Sequence, residues 1–232
     1  MKHKNLVFLG TSHIAKQSLE EVKARIDEEK PEIIAIELDK KRVFALMQKG
    51  ERKIEFRMIK KIGVKGFVFS LLGAWAEKKL GKIAGVSPGS EMKQAIMIAK
   101  KKNIEIALID QDIEITLNRL SKELTWREKF NFLADIIKAL FSQKNEIEFD
   151  LAKVPEKKII KKLTEKLRQR YPNVYKTLIE ERNIVLADNL KNLMDANPEK
   201  KILVILGAGH IDDVVELLKL KEGSINYSFS IN

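Results

Sequence analysis

The chain has 232 residues, of which 44% are hydrophobic, enough for one sizeable core, so we predict a single domain over residues 1–232. It contains no cysteine, which excludes disulfides, iron–sulfur clusters and thiolate zinc sites, so any metal must be held by His and carboxylates. Lys and Arg number 44 against 33 Asp and Glu, and this formal charge of +11 favours anionic surroundings without choosing among nucleic acid, phosphate and lipid.

The N-terminal part of the chain alternates predicted strands and helices. A continuous apolar run over 5–9 predicts a buried strand, apolar residues at helical spacing predict a helix over 15–30, and "EIIAIELD" predicts a strand over 32–39. Together they predict a βαβ unit whose two strands form a parallel pair, followed by a short helix over 39–48.

The middle of the chain gives a weaker pattern before a clear helix. Residues 51–88 mix glycines with basic and aromatic residues, and the apolar part of 63–82 is too short to cross a bilayer. That part could be a membrane-facing lip, a dimer surface or a lid, although burial against the protein is the commoner outcome. A helix follows, with Ser90 as its predicted N-cap and Asn103 near its end, and then a third strand over 104–110.

A helical region separates the third strand from the fourth. Helical patterns cover 112–121, 125–142, 155–170 and 173–195, the fourth strand is predicted over 201–206, and alternating residues over 224–231 predict an edge strand. The predicted fold is therefore α/β, with a mainly parallel sheet, helices on both faces and a helical cap, about 112–197, inserted between the third and fourth strands.

One helix of this cap carries a basic face. Residues 155–170 place Lys157, Lys158, Lys161, Lys162 and Arg168 around a narrow apolar stripe. Such a helix could lie on an anionic membrane surface or meet nucleic acid, but it is more often a cap helix with a solvated face. Because no nucleic-acid motif accompanies it, we expect no specific nucleic-acid partner.

Two segments far apart in the chain share one pattern. "LVFLGTSHI" over 6–14 and "LVILGAGHI" over 203–211 each place a His three residues after a Gly that follows an apolar run, and they use two of the three histidines. We interpret Gly10 and Gly207 as residues that permit a tight turn. Because ligand sites in open α/β sheets form at the carboxyl ends of strands, His13 and His210 are predicted to lie at that edge.

Acidic residues follow the other two predicted strands. Glu37 follows the second strand, and Asp110 and Asp112 follow the third. Two imidazoles with carboxylates suit a divalent metal that keeps open positions for water and substrate, and the bound water would then be the nucleophile. The alternative is that these residues only cap helices or form hydrogen bonds in the fold. Arg182, in the last helical pattern, could clamp a substrate carboxylate or an oxyanion, or form a surface ion pair.

The sequence resembles the TraB/PrgY (pheromone shutdown) family, related to the Tiki proteases and more distantly to the ChaN and erythromycin esterase-like group. The resemblance rests on "GTSH", "IELDKKR", "PGSEM", "ALIDQDIEITLNR", "EERNIVLADNL" and "VILGAGHI" in this order. It covers most of the chain. The family's two Gly-x-x-His pairs, its acid after the second strand and its later arginine match Gly10 with His13, Gly207 with His210, Glu37 and Arg182.

The resemblance implies an activity and a metal. Likeness to the Tiki branch implies metal-dependent cleavage of peptide bonds with Mn or Co, and Zn is a further candidate metal. Likeness to the pheromone-shutdown branch implies sequestration or breakdown of a secreted peptide. The sequence departs from the family at Gln111 and Asn183, where an Arg and an Asp are usual. Longer family members carry hydrophobic segments after this domain, whereas no run in this sequence approaches a membrane span, so we expect a cytoplasmic location.

Our expectation from the sequence is a metal-dependent hydrolase that cleaves or inactivates peptides. The alternative is a non-catalytic module that binds a peptide or partner in the same site, and a homo-oligomer remains open. Metal ligands would be His13, His210 and Glu37, with Glu37 and Arg182 catalytic; the remaining candidates, supporting the site or the substrate, are Asp110, Asp112, Glu91, Arg119 and Glu181.

Overall fold

A five-stranded sheet organises the protein. The computed structural model describes residues 1–11, 16–48, 89–141 and 157–223. The strands are β1 Lys2–His3, β2 Leu6–Thr11, β3 Ile33–Ile36, β4 Glu105–Leu108 and β5 Ile202–Gly207. Their order in the sheet is β1-β2-β5-β3-β4; β1 is antiparallel to β2 and the other neighbours are parallel. The predicted α/β class with a mainly parallel sheet is confirmed, but the predicted parallel pairing of β2 with β3 is wrong, because β5 lies between them.

Helices connect the strands and cover the sheet. They are α1 Lys16–Glu29, α2 Lys40–Met47, α3 Ser90–Lys102, α4 Ile113–Glu123, α5 Trp126–Phe141, α6 Lys157–Arg170, α7 Pro172–Tyr175, α8 Glu181–Ala196 and α9 Ile211–Gly223. A π-helical segment, Lys176–Glu180, joins α7 to α8. The predicted run of helices between β4 and β5 is present as α4 to α8, and the last of these, α8, packs against the sheet.

The sheet separates two apolar layers, because alternate residues of a strand face opposite sides. On one side Val204 packs with side chains of α8 and α9, such as Leu190 and Val214. On the other side Ile205 packs with side chains of α1 and α3, among them Met92. Helices thus cover both faces, and both layers are buried, which explains why the strands are continuous apolar runs.

The ends of two helices near the site are fixed by local hydrogen bonds and backbone geometry. The carboxylate of Asp39 caps α2 by accepting hydrogen bonds from the N–H groups of Lys41 and Arg42, at 2.8 and 3.0 Å. Ser90 was expected to cap α3 but is its first residue: Gly89 occupies the cap position with φ +76°, a conformation that glycine adopts without strain.

One buried acid ties the cap helices together. Glu128 accepts hydrogen bonds from the backbone N–H of Thr125 at 3.0 Å and from that of Asn173 at 2.7 Å. The first bond belongs to a capping box at the start of α5, and the second satisfies an N–H in the first turn of α7. A single carboxylate therefore fixes how two helices of the cap meet.

Two predictions concern residues that the structure does not describe. One is the segment 63–82, predicted as a membrane-facing lip, a dimer surface, a lid or a segment buried against the protein. The other is the edge strand predicted at 224–231. Within the described residues, none of the helices combines the length and the apolarity needed to cross a bilayer.

Candidate functional site

Three predicted site residues meet at one edge of the sheet. Glu37 directly follows β3, Asp110 follows β4 by two residues, and His210 follows β5 by three. Because β3, β4 and β5 are parallel neighbours, their carboxyl ends lie side by side. Oε2 of Glu37 accepts a hydrogen bond from the backbone N–H of Gly207 at 2.6 Å, so the two neighbouring strand ends are joined directly.

The side chain of Arg182, in α8, lies at this edge and bridges Glu37 and Asp110. Its Nη2 donates to both Glu37 Oε1 and Asp110 Oδ2, and its Nε donates to Asp110 Oδ1 at 3.2 Å. Its Nη1 donates to the carbonyl of Leu178 at 3.3 Å, in the π-helical segment. The guanidinium is therefore part of the scaffold that holds Glu37 and Asp110.

A second arginine, to which the sequence reasoning gave no role, completes this network. Nη2 of Arg42 donates to Asp110 Oδ2, and its Nε donates to Asp39 Oδ2, both at 2.6 Å. Arg42 lies within the quoted "IELDKKR", three residues after Asp39, and that spacing puts both on one face of the helix. The spacing was the signal that could have revealed it.

The network keeps buried charges ionised. Burial on its own would raise the pKa of Asp110, but its hydrogen bond with Arg182 and the charges of Arg182 and Arg42 outweigh this and hold the pKa below its usual range. Burial would lower the pKa of Arg182, but the charges of Glu37 and Asp110 and its hydrogen bonds to them raise it. Asp110 is thus held as a carboxylate although it is buried.

The ring of His210 is held at Nδ1, the ring nitrogen on the side away from Glu37. Its Nδ1 lies 2.6 Å from Oδ1 of Asn183, whose Nδ2 donates to Asp213 Oδ2 at 3.0 Å. Its Nε2 lies 3.5 Å from Glu37 Oε1, longer than the roughly 2.7–3.2 Å of an ordinary N–H···O hydrogen bond. His210 and Asn183 are both buried, so the imidazole has one fixed orientation.

Adjacent residues of α8 contact both the strand-end acids and His210. Arg182 contacts the acids while Asn183 contacts His210, and the preceding Glu181 pairs with Arg119 of α4 at 2.9 Å. The turn just before them is the π-helical segment, a local widening of the helix that is frequent at functional sites. Asn189, seven residues after Arg182 on the same face, donates to the carbonyl of Ile109 at 2.8 Å.

The remaining candidates have other surroundings. Asp112 caps α4 by accepting from the N–H of Glu114 at 2.8 Å, and it forms an ion pair with Lys41 at 2.6 Å. Gln111 donates to Thr116 Oγ1 at 2.7 Å. Glu91 is buried in the first turn of α3. For Asp112 the structure therefore gives the helix-capping contact that was the alternative interpretation.

The first Gly-x-x-His segment is only partly described. Gly10 lies inside β2, and a Cβ built on it would come within 2.8 Å of Cδ1 of Ile211. Among the described glycines only Gly89 has a positive φ, so Gly10 provides space for close packing, not the tight turn that was expected. β2 ends at Thr11, paired with Gly207. His13 lies outside the described residues.

The described donors fit part of a metal site. Within the described ranges, no group of three His, Asp or Glu side chains is arranged to hold a metal ion. At the strand ends, His210 Nε2 and Glu37 Oε1 lie 3.5 Å apart. Tetrahedral ligands at about 2.0–2.2 Å from a metal stand roughly 3.3–3.6 Å from each other, so this pair fits two positions.

Asp110 does not fit a further position. Its Oδ1 accepts from Arg182 Nε and from the N–H of Gln111, and its Oδ2 accepts from both Arg182 and Arg42. Two guanidinium groups on one carboxylate repel a cation and occupy the lone pairs that would bind it. Its role is to hold Arg182 and Arg42.

Comparison with known proteins gives a consistent relationship. The family model described as the TraB/PrgY/gumN family matches residues 2–224. An uncharacterized protein of Methanocaldococcus jannaschii is 37% identical over 229 residues, 94% of this chain and 54% of that protein. TraB domain-containing proteins of Bos taurus and Homo sapiens are 23% and 22% identical, over 89% of this chain and 60% of each relative. The chain thus spans between half and two thirds of the length of these relatives.

Proposed function

This chain belongs to the TraB/PrgY/gumN family, and from the site described above we propose that it is a metal-dependent hydrolase that cleaves or inactivates peptides. One observation carries the proposal: the ring of His210 and the carboxylate of Glu37, each anchored on its far side, face one another at 3.5 Å. Anchored imidazole and carboxylate donors at this separation favour a shared divalent cation.

The proposed metal ligands are His210, Glu37 and His13, with Mn, Co or Zn as the metal. When bound, such an ion supplies an acidified water molecule and polarises a substrate carbonyl. Glu37 would serve either as a ligand of that ion or as the general base for its water: Oε2 accepts from the Gly207 N–H, and Oε1, which accepts from Arg182, faces the ring of His210.

For Arg182 we propose a role different from a free substrate clamp. Its guanidinium already donates to Glu37 and Asp110, so it fixes the position of Glu37, and its charge is balanced by these two carboxylates. The peptide as substrate is supported by the resemblance to the Tiki and pheromone-shutdown branches.

Metal content and cleavage of a random peptide mixture, measured on the untagged 232-residue chain, test the proposal. We expect a stoichiometric divalent metal, and cleavage products by mass spectrometry that disappear in His210→Ala. His3→Ala is the matched control, because His3 pairs with Glu222 at 3.2 Å and lies beside Leu6, at the opposite end of β2. Absence of both metal and cleavage from the folded wild-type protein would contradict the proposal.

One observation favours a second candidate, a non-catalytic peptide-binding module. A metal ion at Glu37 has to share Oε1 with the guanidinium of Arg182, which weakens any cation bound there. A binding module predicts retention of peptides from the same mixture without cleavage when Mn²⁺ is added. Cleavage that depends on Mn²⁺ contradicts it.

A further inference from the structure

Three hydrogen-bonded side chains, Asp213, Asn183 and His210, form a series that begins at the surface of α9. Asp213, half-buried in the first turn of α9, accepts a hydrogen bond from Nδ2 of Asn183 at 3.0 Å. Oδ1 of the same amide then faces Nδ1 of His210 at 2.6 Å. Asn183 is 2% exposed and His210 is 6% exposed, so bulk water does not compete for the bond between these two side chains.

The order of donors and acceptors along this series is fixed by the carboxylate of Asp213. Burial raises the pKa of Asp213, but above that pKa its carboxylate is ionised and only accepts hydrogen bonds, so the group of Asn183 that faces Asp213 is then the NH₂. The other end of the amide is then the carbonyl oxygen, which also only accepts. The hydrogen between it and His210 therefore belongs to Nδ1 of the ring, and a neutral ring with Nδ1–H carries its lone pair on Nε2.

Without Asp213 the amide would impose no such order. An Asn side chain can turn by 180° and offer either its NH₂ or its oxygen to the imidazole, and the two tautomers would then compete. The Nε2 lone pair matters because Nε2 is the atom that faces Glu37 Oε1. Neither Asn183 nor Asp213 is among the residues that the Gly-x-x-His pattern identifies.

We propose that Asp213, acting through Asn183, is a positioning residue that holds neutral His210 in the Nδ1–H tautomer, with the Nε2 lone pair directed toward Glu37. The use of this lone pair as a metal donor rests on the proposed function. The tautomer rests on a difference in distance: the carboxylate of Glu37 lies 3.5 Å from Nε2, beyond ordinary hydrogen-bond length, whereas Asn183 Oδ1 lies 2.6 Å from Nδ1, so the hydrogen of the neutral ring is placed on Nδ1.

The tautomer is measurable directly, because the chain has only three histidines and their ¹⁵N resonances are distinguishable by NMR. In metal-free protein at mildly alkaline pH, we expect a protonated Nδ1 and an unprotonated Nε2 for His210, assigned by its loss in His210→Gln. In Asp213→Asn we expect a mixture of both tautomers. The double variant Asn183→Asp with Asp213→Asn exchanges carboxylate and amide, and should restore the Nδ1–H form.

Controls separate this role from a general effect on folding. Glu216→Gln makes the same change of carboxylate to amide on the exposed side of α9 and should leave the tautomer unchanged. Thermal unfolding verifies that each variant is folded. An Nε2–H tautomer in the wild-type protein overturns the proposal, as does an unchanged ring in Asp213→Asn.

A second measurement relates the tautomer to metal binding. Titration with Mn²⁺ or Zn²⁺ should show affinity reduced roughly 10–100-fold in Asp213→Asn, the usual effect of removing a group that orients a ligand, and restored in the double variant. Equal affinity in wild type and Asp213→Asn overturns the link to binding. If no variant binds metal while the tautomers behave as expected, the proposed function fails and the positioning role of Asp213 stands.

Discussion

Glu37 Oε2 accepts a 2.6 Å hydrogen bond from the backbone N–H of Gly207, the last residue of β5. A backbone donor cannot rotate away as a side chain can, so the position of this carboxylate is set by the strand that leads to His210. Hydrogen bonds to an ionised acceptor are also among the stronger ones in proteins. The acid and the imidazole therefore form a unit whose geometry depends on the sheet.

Replacement of Arg182 by Met should destabilise the protein by about 3–5 kcal/mol, because it leaves the buried carboxylates of Glu37 and Asp110 without their shared guanidinium. Arg182→Lys should lose less stability, because an ammonium group can pair with one of the two acids but cannot donate to both as the planar guanidinium does. Urea unfolding at neutral pH measures both changes.

The control for this series is Arg119→Met, which breaks the pair with Glu181. The Arg119 side chain is 54% exposed, and exposed pairs contribute at most about 1 kcal/mol. Similar losses at both arginines would contradict a special role for the buried pair.

The stability of the protein should fall in acid partly through Asp110. Its pKa in the folded protein is lower than the unfolded value of about 3.9, so ionised Asp110 stabilises the fold at every pH above that value. This contribution disappears as the pH falls from there through the lower folded pKa. Asp110→Asn should be less stable at neutral pH and should show a flatter acid limb when unfolding free energy is plotted against pH.

An exposed acid serves as the control for that slope. Asp188→Asn removes a surface pair with Lys221, at 2.6 Å, and should retain the acid limb of the wild-type protein. Identical slopes for wild type and Asp110→Asn would show that Asp110 is not paired as described.

Glu128→Ala should lower stability by about 2–4 kcal/mol, because one carboxylate caps both α5 and α7. Chemical denaturation monitored by circular dichroism measures the loss. Glu123→Ala is the matched control, since Glu123 is exposed and its ion pair with Lys176 is 3.8 Å long; we expect a change within about 0.5 kcal/mol. A loss at Glu128 no greater than at Glu123 would contradict the double-cap arrangement.

Gly10→Ala should cost about 1–3 kcal/mol, because the added methyl group would come within 2.8 Å of Ile211 Cδ1 and 3.3 Å of the backbone of Ala208. Ile211→Val removes that Cδ1 atom, so the double variant should be less destabilised than the sum of the two single changes. Gly209→Ala, whose nearest neighbour would be 3.8 Å away, is the control. Strict additivity would argue against the close contact.

Much of the fold could be predicted because its core strands are buried on both faces. Continuous apolar runs predicted β2 to β5, and helical spacing predicted the helices, with bounds within a few residues. Three features were beyond the sequence pattern. β1 has only two residues, the insertion of β5 between β2 and β3 is a tertiary choice, and the helix expected over 173–195 contains a π-helical segment that has no periodic signature.

The site was predictable at the strand ends and less so beyond them. Glu37, Asp110 and His210 follow parallel strands, and such positions converge for a topological reason. Their partners come from helices whose orientation the sequence does not fix: Asn183 was noted only as a departure from the family pattern, yet it contacts His210. Asp213 carried one usable signal, its spacing of three residues from His210 at the start of a helix.

The position of β5 has a consequence for how the protein is made. β2 and β3 do not pair with each other; each pairs with β5, which is synthesised some 165 residues after the end of β3. A nascent chain that has emerged only as far as α8 holds β2 and β3 with open edges, which invite pairing with other chains. Docking of β5 closes both edges in one event and brings His210 to Glu37, so a truncated translation product cannot carry an assembled site.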